Sequence, residues 1–216
     1  ETKLPITTCL FDLDGTLIDS IPLIVESFRH TVVAHGRPLP PDEAFIRGIG
    51  TPLDDQLREF AVDEEQVAAM RETYSRYYID NHNASVRAFA GVLEALTTLK
   101  AQGIKLGIIT SKKRVGALRA IRHCELEPLL DIIVGADDTH KNKPDPEPVQ
   151  HALTQLSVEA SETFFVGDSP HDMAAGKAAG VKIAAVMWGP FPRETLEPYG
   201  PDRWLETASG IVDLIG

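Results

Sequence analysis

From Gly91 to Val186 the chain alternates short apolar runs with longer segments of helical spacing, and this alternation limits the possible fold more than any other feature. The spacing predicts helices over 91–102, 113–123, 146–156 and 171–179, separated by strands over 104–109, 131–134, 163–166 and 182–186. In repeated strand–helix–strand units each crossover returns the chain to the same sheet edge, so the strands run parallel with helices on both faces. A further apolar run, Ile6 to Asp12, leads into Asp-Leu-Asp-Gly-Thr and reads as a buried first strand entering a tight glycine turn. The expected fold class is therefore α/β, a Rossmann-like parallel sheet.

Between that first strand and residue 86 only helices are expected. Ser20 opens one in which Ile21, Ile24, Val25, Phe28 and Val32 recur at helical spacing, closing near Gly36 and the breakers Pro38, Pro40 and Pro41. A second runs from Asp63 to about Asn81 with Val67, Met70, Tyr74, Tyr77 and Tyr78 on one stripe, which reads as packing. A length of 216 residues suits one core domain and a smaller module. Residues 1–17 and 86–216 are assigned to the core, and 18–85 to a helical insertion lying as a cap over the strand ends.

A formal charge of −11 repels a nucleic-acid backbone, and no dense Lys/Arg stripe offsets it, so no nucleic-acid partner is expected. No stretch approaches the roughly 18 consecutive apolar residues that a membrane helix needs. Glu1 to Thr8 lack a basic segment followed by an apolar one, and the expected location is cytoplasmic. Cys9 and Cys124 are the two cysteines, too few for a disulfide framework. The sequence carries no reading of oligomeric state.

In open parallel sheets ligands bind beyond the carboxyl ends of the strands, so the polar residues just after each apolar run are the candidates. These are Asp12 and Asp14 after the first strand, Thr110 and Ser111 after the second, and Gly167, Asp168, Ser169 and then Asp172 after the fourth. Lys143 sits in the proline-rich loop Lys-Asn-Lys-Pro-Asp-Pro-Glu-Pro, where the prolines restrict the backbone. Several carboxylates on one sheet edge repel one another unless a hard cation neutralises them. Magnesium, with its preference for oxygen ligands and a substrate phosphate, fits; the absence of Cys and His at ligand spacing speaks against zinc. Asp12 and Asp168 offer side-chain ligands and Asp14 a backbone carbonyl.

A carboxylate can attack phosphorus to give an aspartyl phosphate that water then hydrolyses. Asp12 suits the nucleophile and Asp14, two residues on, the acid/base. Lys143, Thr110 and Ser111, with the Gly15–Thr16 turn, suit the phosphoryl oxygens.

Phe-Asp12-Leu-Asp14-Gly15-Thr16-Leu, Thr110-Ser111, Lys143-Pro-Asp-Pro and Gly167-Asp168-Ser169-Pro-His-Asp172 together resemble the four ordered motifs of the haloacid dehalogenase superfamily. The resemblance spans residues 12–172. It implies a phosphatase with Asp12 as nucleophile, Asp14 as acid/base, Thr110 and Lys143 on the phosphoryl group, and magnesium held at Asp12, Asp14 and Asp168. Asp172 enters as a ligand or as the partner of one. The helical insertion is similar to that family's cap, and Arg47-Gly48-Ile49-Gly50-Thr51-Pro52 within it is the candidate specificity loop, with Arg47 and Gly48 touching substrate.

A comparable glycine-containing cap segment occurs in phosphoglycolate phosphatases and pyrophosphatases, and Val186-Met187-Trp188-Gly189 also resembles the phosphoglycolate branch. The resemblance therefore implies a small phosphorylated metabolite as substrate, phosphoglycolate first. Pyrophosphate hydrolysis, phosphoryl transfer of the β-phosphoglucomutase kind and phosphate binding without turnover remain as alternatives.

Overall fold

A computed structural model of the chain describes residues 5–216; the N-terminal reading above falls partly on residues 1–4, outside the described residues. The first strand, β1 (Thr8–Phe11), is buried along its whole length, as its unbroken Thr-Cys-Leu-Phe run requires of a central parallel strand. A two-residue strand, β2 (Ile18–Asp19), follows. The chain then makes four consecutive helices, α1 (Ile21–Ala34), α2 (Asp42–Gly48), α3 (Leu53–Arg58) and α4 (Glu64–Ser85), before β3 (Arg87–Ala88).

Alternation then sets in: α5 (Val92–Ala101), β4 (Lys105–Ile109), α6 (Arg114–His123), β5 (Ile132–Val134), α7 (Glu147–Leu156), β6 (Thr163–Gly167), α8 (Pro170–Ala179) and β7 (Lys182–Val186). A short helix α9 (Arg193–Leu196) and a last strand β8 (Arg203–Leu205) complete the order.

Six strands form one sheet in the order β5-β4-β1-β6-β7-β8, and every pairing is parallel. β1 lies inside the sheet, with Phe11 in register with Ile108 of β4 and Val166 of β6. The chain winds outward from β1 to β4 and β5, then returns to β6 on the opposite side. Winding reverses beside β1, so the loops leaving its carboxyl end diverge and open a crevice there.

The helical segment departs from the sequence expectation in one respect: β2 and β3 pair antiparallel, Ile18 with Ala88 and Asp19 with Arg87. The two strands through which the chain enters and leaves the helices therefore lie side by side. Two-residue strands leave no periodic pattern to read. The helices pack on an aromatic cluster in which Phe28 meets Phe45 at 5.4 Å and Tyr74 at 4.8 Å between ring centroids, geometry that adds to area burial. β8 and the 3-10 stretch Ala208–Ile215 were likewise not expected. Among the described residues no helix is long and apolar enough to cross a membrane.

Candidate active site

Asp12 follows directly on β1, and its amide donates to Val166 O at 2.9 Å, so the sheet ladder itself fixes the residue. Lys143 Nζ donates to Asp12 Oδ1 at 2.8 Å, to Asp172 Oδ1 at 2.6 Å and to Ile109 O at 3.2 Å. Asp168 directly follows β6, and Thr16 Oγ1 donates to its Oδ1 at 2.6 Å. All four charged groups are at least 95% buried.

Asp172 is the third residue of α8 and closes a reciprocal cap with Ser169, whose amide and hydroxyl donate to Asp172 Oδ2 at 3.0 and 2.7 Å. One carboxylate thus caps a helix with one oxygen and anchors a lysine with the other.

Asp12, Asp168 and Asp172 bring carboxylate oxygens within 4.8 Å of one another. Burial first, and the Asp172 charge next, push the Asp12 carboxyl from 3.8 up to about 7 against the pull of Lys143. Burial, then Asp12 and Asp172, hold Asp168 well above the usual carboxylate range. For Lys143 burial opposes the charge, but the flanking carboxylates outweigh it and raise the pKa.

With all groups ionised, three carboxylates against one ammonium leave two negative charges, the charge of one divalent cation. Asp168 Oδ2 is buried with no hydrogen-bond partner, and such an atom is costly unless something coordinates it. Space beside it is kept by missing side chains: a Cβ on Gly15 would lie 2.9 Å from that oxygen and one on Gly189 2.4 Å from Asp168 Cβ. An oxygen-only donor set with an orphaned buried carboxylate oxygen fits a hard cation such as magnesium.

Asp14 stands apart from this cluster. Its Oδ1 accepts from Ser20 Oγ at 2.5 Å and from Lys112 Nζ at 2.6 Å. Lys112 lies 4.7 Å from the Tyr78 ring centroid. Neither Ser20 nor Lys112 figured among the sequence candidates. Lys112 directly follows the strand-end pair Thr110-Ser111, and the need for a cation beside Asp14 was the available signal.

The remaining candidates divide. Thr110 and Ser111 line a cavity of about 400 Å3 above Asp12 and Asp14, and Ser111 Oγ donates to Gly50 O at 2.5 Å. Gly15 has φ +83°, a turn conformation that favours glycine, but its amide is taken by Ile18 O at 2.9 Å. Thr16 is fully buried and its hydroxyl is used by Asp168. Through these contacts both shape the carboxylate cluster.

Arg47 and Gly48 lie outside the cavity lining. Arg47 is exposed in the last turn of α2 and does not line the cavity, and Gly48 packs against the Gln56 side chain. The cavity-facing part of that segment is Ile49–Asp54.

The sequence profile of the haloacid dehalogenase-like hydrolases matches residues 9–186. Pyrophosphatase PpaX of Anoxybacillus flavithermus is 39% identical over 211 residues, covering 98% of this chain and 97% of that protein. Pyrophosphatase PpaX of Halalkalibacterium halodurans is 37% identical over 211 residues, with coverages of 98% and 97%. A Bacteroides fragilis structure described as a haloacid dehalogenase-like hydrolase superposes with a TM-score of 0.88 at 34% identity, covering 95% of this chain and 99% of its own. A predicted phosphoglycolate phosphatase from Haemophilus somnus shares the fold, with a TM-score of 0.87 at 23% identity and 98% of each chain covered.

Proposed function

Because the chain belongs to the haloacid dehalogenase-like hydrolase family, we propose that it is a magnesium-dependent phosphohydrolase acting on a small phosphorylated compound through an aspartyl phosphate at Asp12. The observation that carries this reading is the buried Asp12–Asp168–Asp172 cluster, bound to Lys143 and left with an unpartnered oxygen on Asp168. Lys143 holds Asp12 Oδ1, which leaves Oδ2 to attack phosphorus from the cavity floor. Asp14 gives a proton to the departing oxygen, then takes one from the water that cleaves the acyl phosphate. Lys143 and the Thr110 hydroxyl meet the charge that develops on the phosphoryl oxygens. Magnesium, held by Asp12 and Asp168 with Asp172 beside them, would supply Lewis-acid neutralisation of that charge.

In this reading residues 18–85 act as a cap closing on a core of residues 1–17 and 86–216, in a cytoplasmic setting. Support comes from Gly50, whose carbonyl meets Ser111 and whose Cα faces Ser169 and His171. Gly50 has φ +101°, and a Cβ there would lie 3.0 Å from Ser169 Oγ and 3.1 Å from His171 Cδ2. Gly50→Ala is expected to cost about 1 kcal/mol in backbone strain. Its larger effect is to hold the two segments apart and lower kcat/KM by about tenfold, as small misplacements in a closing site do. Steady-state kinetics beside thermal unfolding check this; a loss of stability with kcat/KM intact would contradict it.

Metal binding is tied to pH. An unfolded chain releases the Asp12 proton near 3.8, whereas the metal-free native site holds it to about 7. Stability from this raised pKa is complete below the lower value and lost as pH rises through the upper one. Magnesium needs the ionised form, so its stabilisation grows across the same window. Thermal unfolding with and without magnesium should show a small gain at about pH 5 and a large one at about pH 8. Equal gains at both would contradict the assignment.

Pyrophosphate is the first substrate to test, since the curated relatives at 37–39% identity are pyrophosphatases. Phosphoglycolate, favoured by the sequence, comes second. Phosphate release from these, from sugar phosphates and from nucleotides, with magnesium and with a chelator, tests the reading. Metal-dependent release is expected; glucose 1-phosphate converted to the 6-phosphate without release would favour the mutase alternative instead.

A further inference from the structure

The cavity above Asp12 and Asp14, at about 400 Å3, falls in the range that takes a small organic ligand. A phosphoryl group needs only its floor. Beyond the floor the walls are largely aliphatic and aromatic, with Ile49, Leu53 and Tyr74 on one side.

At the mouth Ile79 from α4 and Val115 from α6 line the same space, yet they are 45% and 73% exposed. A single exposed apolar side chain is ordinary; two lining one cavity from different helices form a surface that a ligand can cover. Four cations also line the cavity, Arg71, Lys112, Lys113 and Arg119; Lys112 is matched by Asp14 at 2.6 Å and Arg71 by Asp54 at 2.7 Å.

We propose that this site also takes phosphate monoesters whose leaving alcohol carries an apolar body, which lies between Ile79 and Val115. The inference rests on the phosphohydrolase reading above and extends it to a further substrate class. Asp12 forms the new bond to phosphorus as the ester P–O bond breaks. The leaving oxygen takes the Asp14 proton, and water then returns Asp12 and releases inorganic phosphate.

The test is kcat/KM with magnesium for ethyl, butyl and hexyl phosphate, whose leaving groups differ little in basicity, beside pyrophosphate. Wild type, Ile79→Asp and Val115→Asp are compared, both substitutions being at exposed positions. Burial of each added methylene is expected to raise kcat/KM by about fourfold in wild type until the cavity is filled. Either substitution is expected to flatten that rise. Pyrophosphate cleavage with no chain-length dependence would overturn the inference and leave the phosphohydrolase reading standing. A rise of the same steepness in both variants would overturn the assignment to these two side chains. Failure of wild type to cleave any alkyl phosphate while it releases phosphate from phosphoglycolate, a sugar phosphate or a nucleotide would overturn the inference alone; release from none of them would overturn both readings.

Discussion

Asp12→Asn is expected to lower phosphate release by more than about 10⁴-fold, the scale on which loss of a covalent nucleophile acts. The amide has nearly the same shape but lacks the anionic oxygen proposed to attack phosphorus. It also removes a proposed metal ligand and one of the two carboxylates on Lys143. Folding is not what fails. Burial and the Asp172 charge already push the Asp12 carboxyl up to about 7, so a neutral group there relieves repulsion in the metal-free protein. Thermal unfolding without metal should therefore show a midpoint no lower than wild type, while the kinetic assay shows the loss.

Lys143→Met produces the second large effect, and it acts on both activity and stability. Nζ is the cation that bridges Asp12 and Asp172, with the side chain 1% exposed. In the proposed mechanism its removal withdraws a preorganised donor from the phosphoryl group, a change of about 10³-fold in kcat. It also leaves two buried carboxylates without their counter-charge, which costs about 3 kcal/mol in the metal-free state. A lower urea midpoint together with the fall in kcat is expected. Lys143→Arg should fail to restore activity, because a planar guanidinium cannot occupy the point where one ammonium meets Asp12, Asp172 and Ile109 O.

The sheet was legible because its strands are short apolar runs whose ends carry conspicuous polar residues. Asp12, Lys143 and the Asp168–Asp172 pair lie far apart in sequence yet meet in space, since Asp12 and Asp168 follow strands on one sheet edge, Asp172 stands in the first turn of α8 and Lys143 reaches across from the adjoining loop. What could not be read is what depends on where a side chain turns. Thr16 reads only as part of a phosphate-facing turn, and it takes the fold to show its hydroxyl donating to Asp168.

Arg47 reads as the cation of a flexible loop, but α2 continues through Gly48 and carries Arg47 outward. Lys112 escaped notice beside Lys113 because two adjacent lysines look like a solvated pair; only the return of α4 over α6 encloses one of them under Tyr78. The tyrosine stripe of α4 likewise reads as packing. Tyr74 does pack on Phe28, and the same residue lines the cavity, a double use that helical spacing alone does not encode.

The most direct test of the account is chemical trapping of the acyl phosphate. Wild-type protein turning over pyrophosphate with magnesium is treated with borohydride, which reduces an aspartyl phosphate to homoserine, and the peptides are read by mass spectrometry. Homoserine at position 12, absent without substrate, is the predicted result. Phosphate release with Asp12 unmodified, or reduction at a different carboxylate, would contradict it.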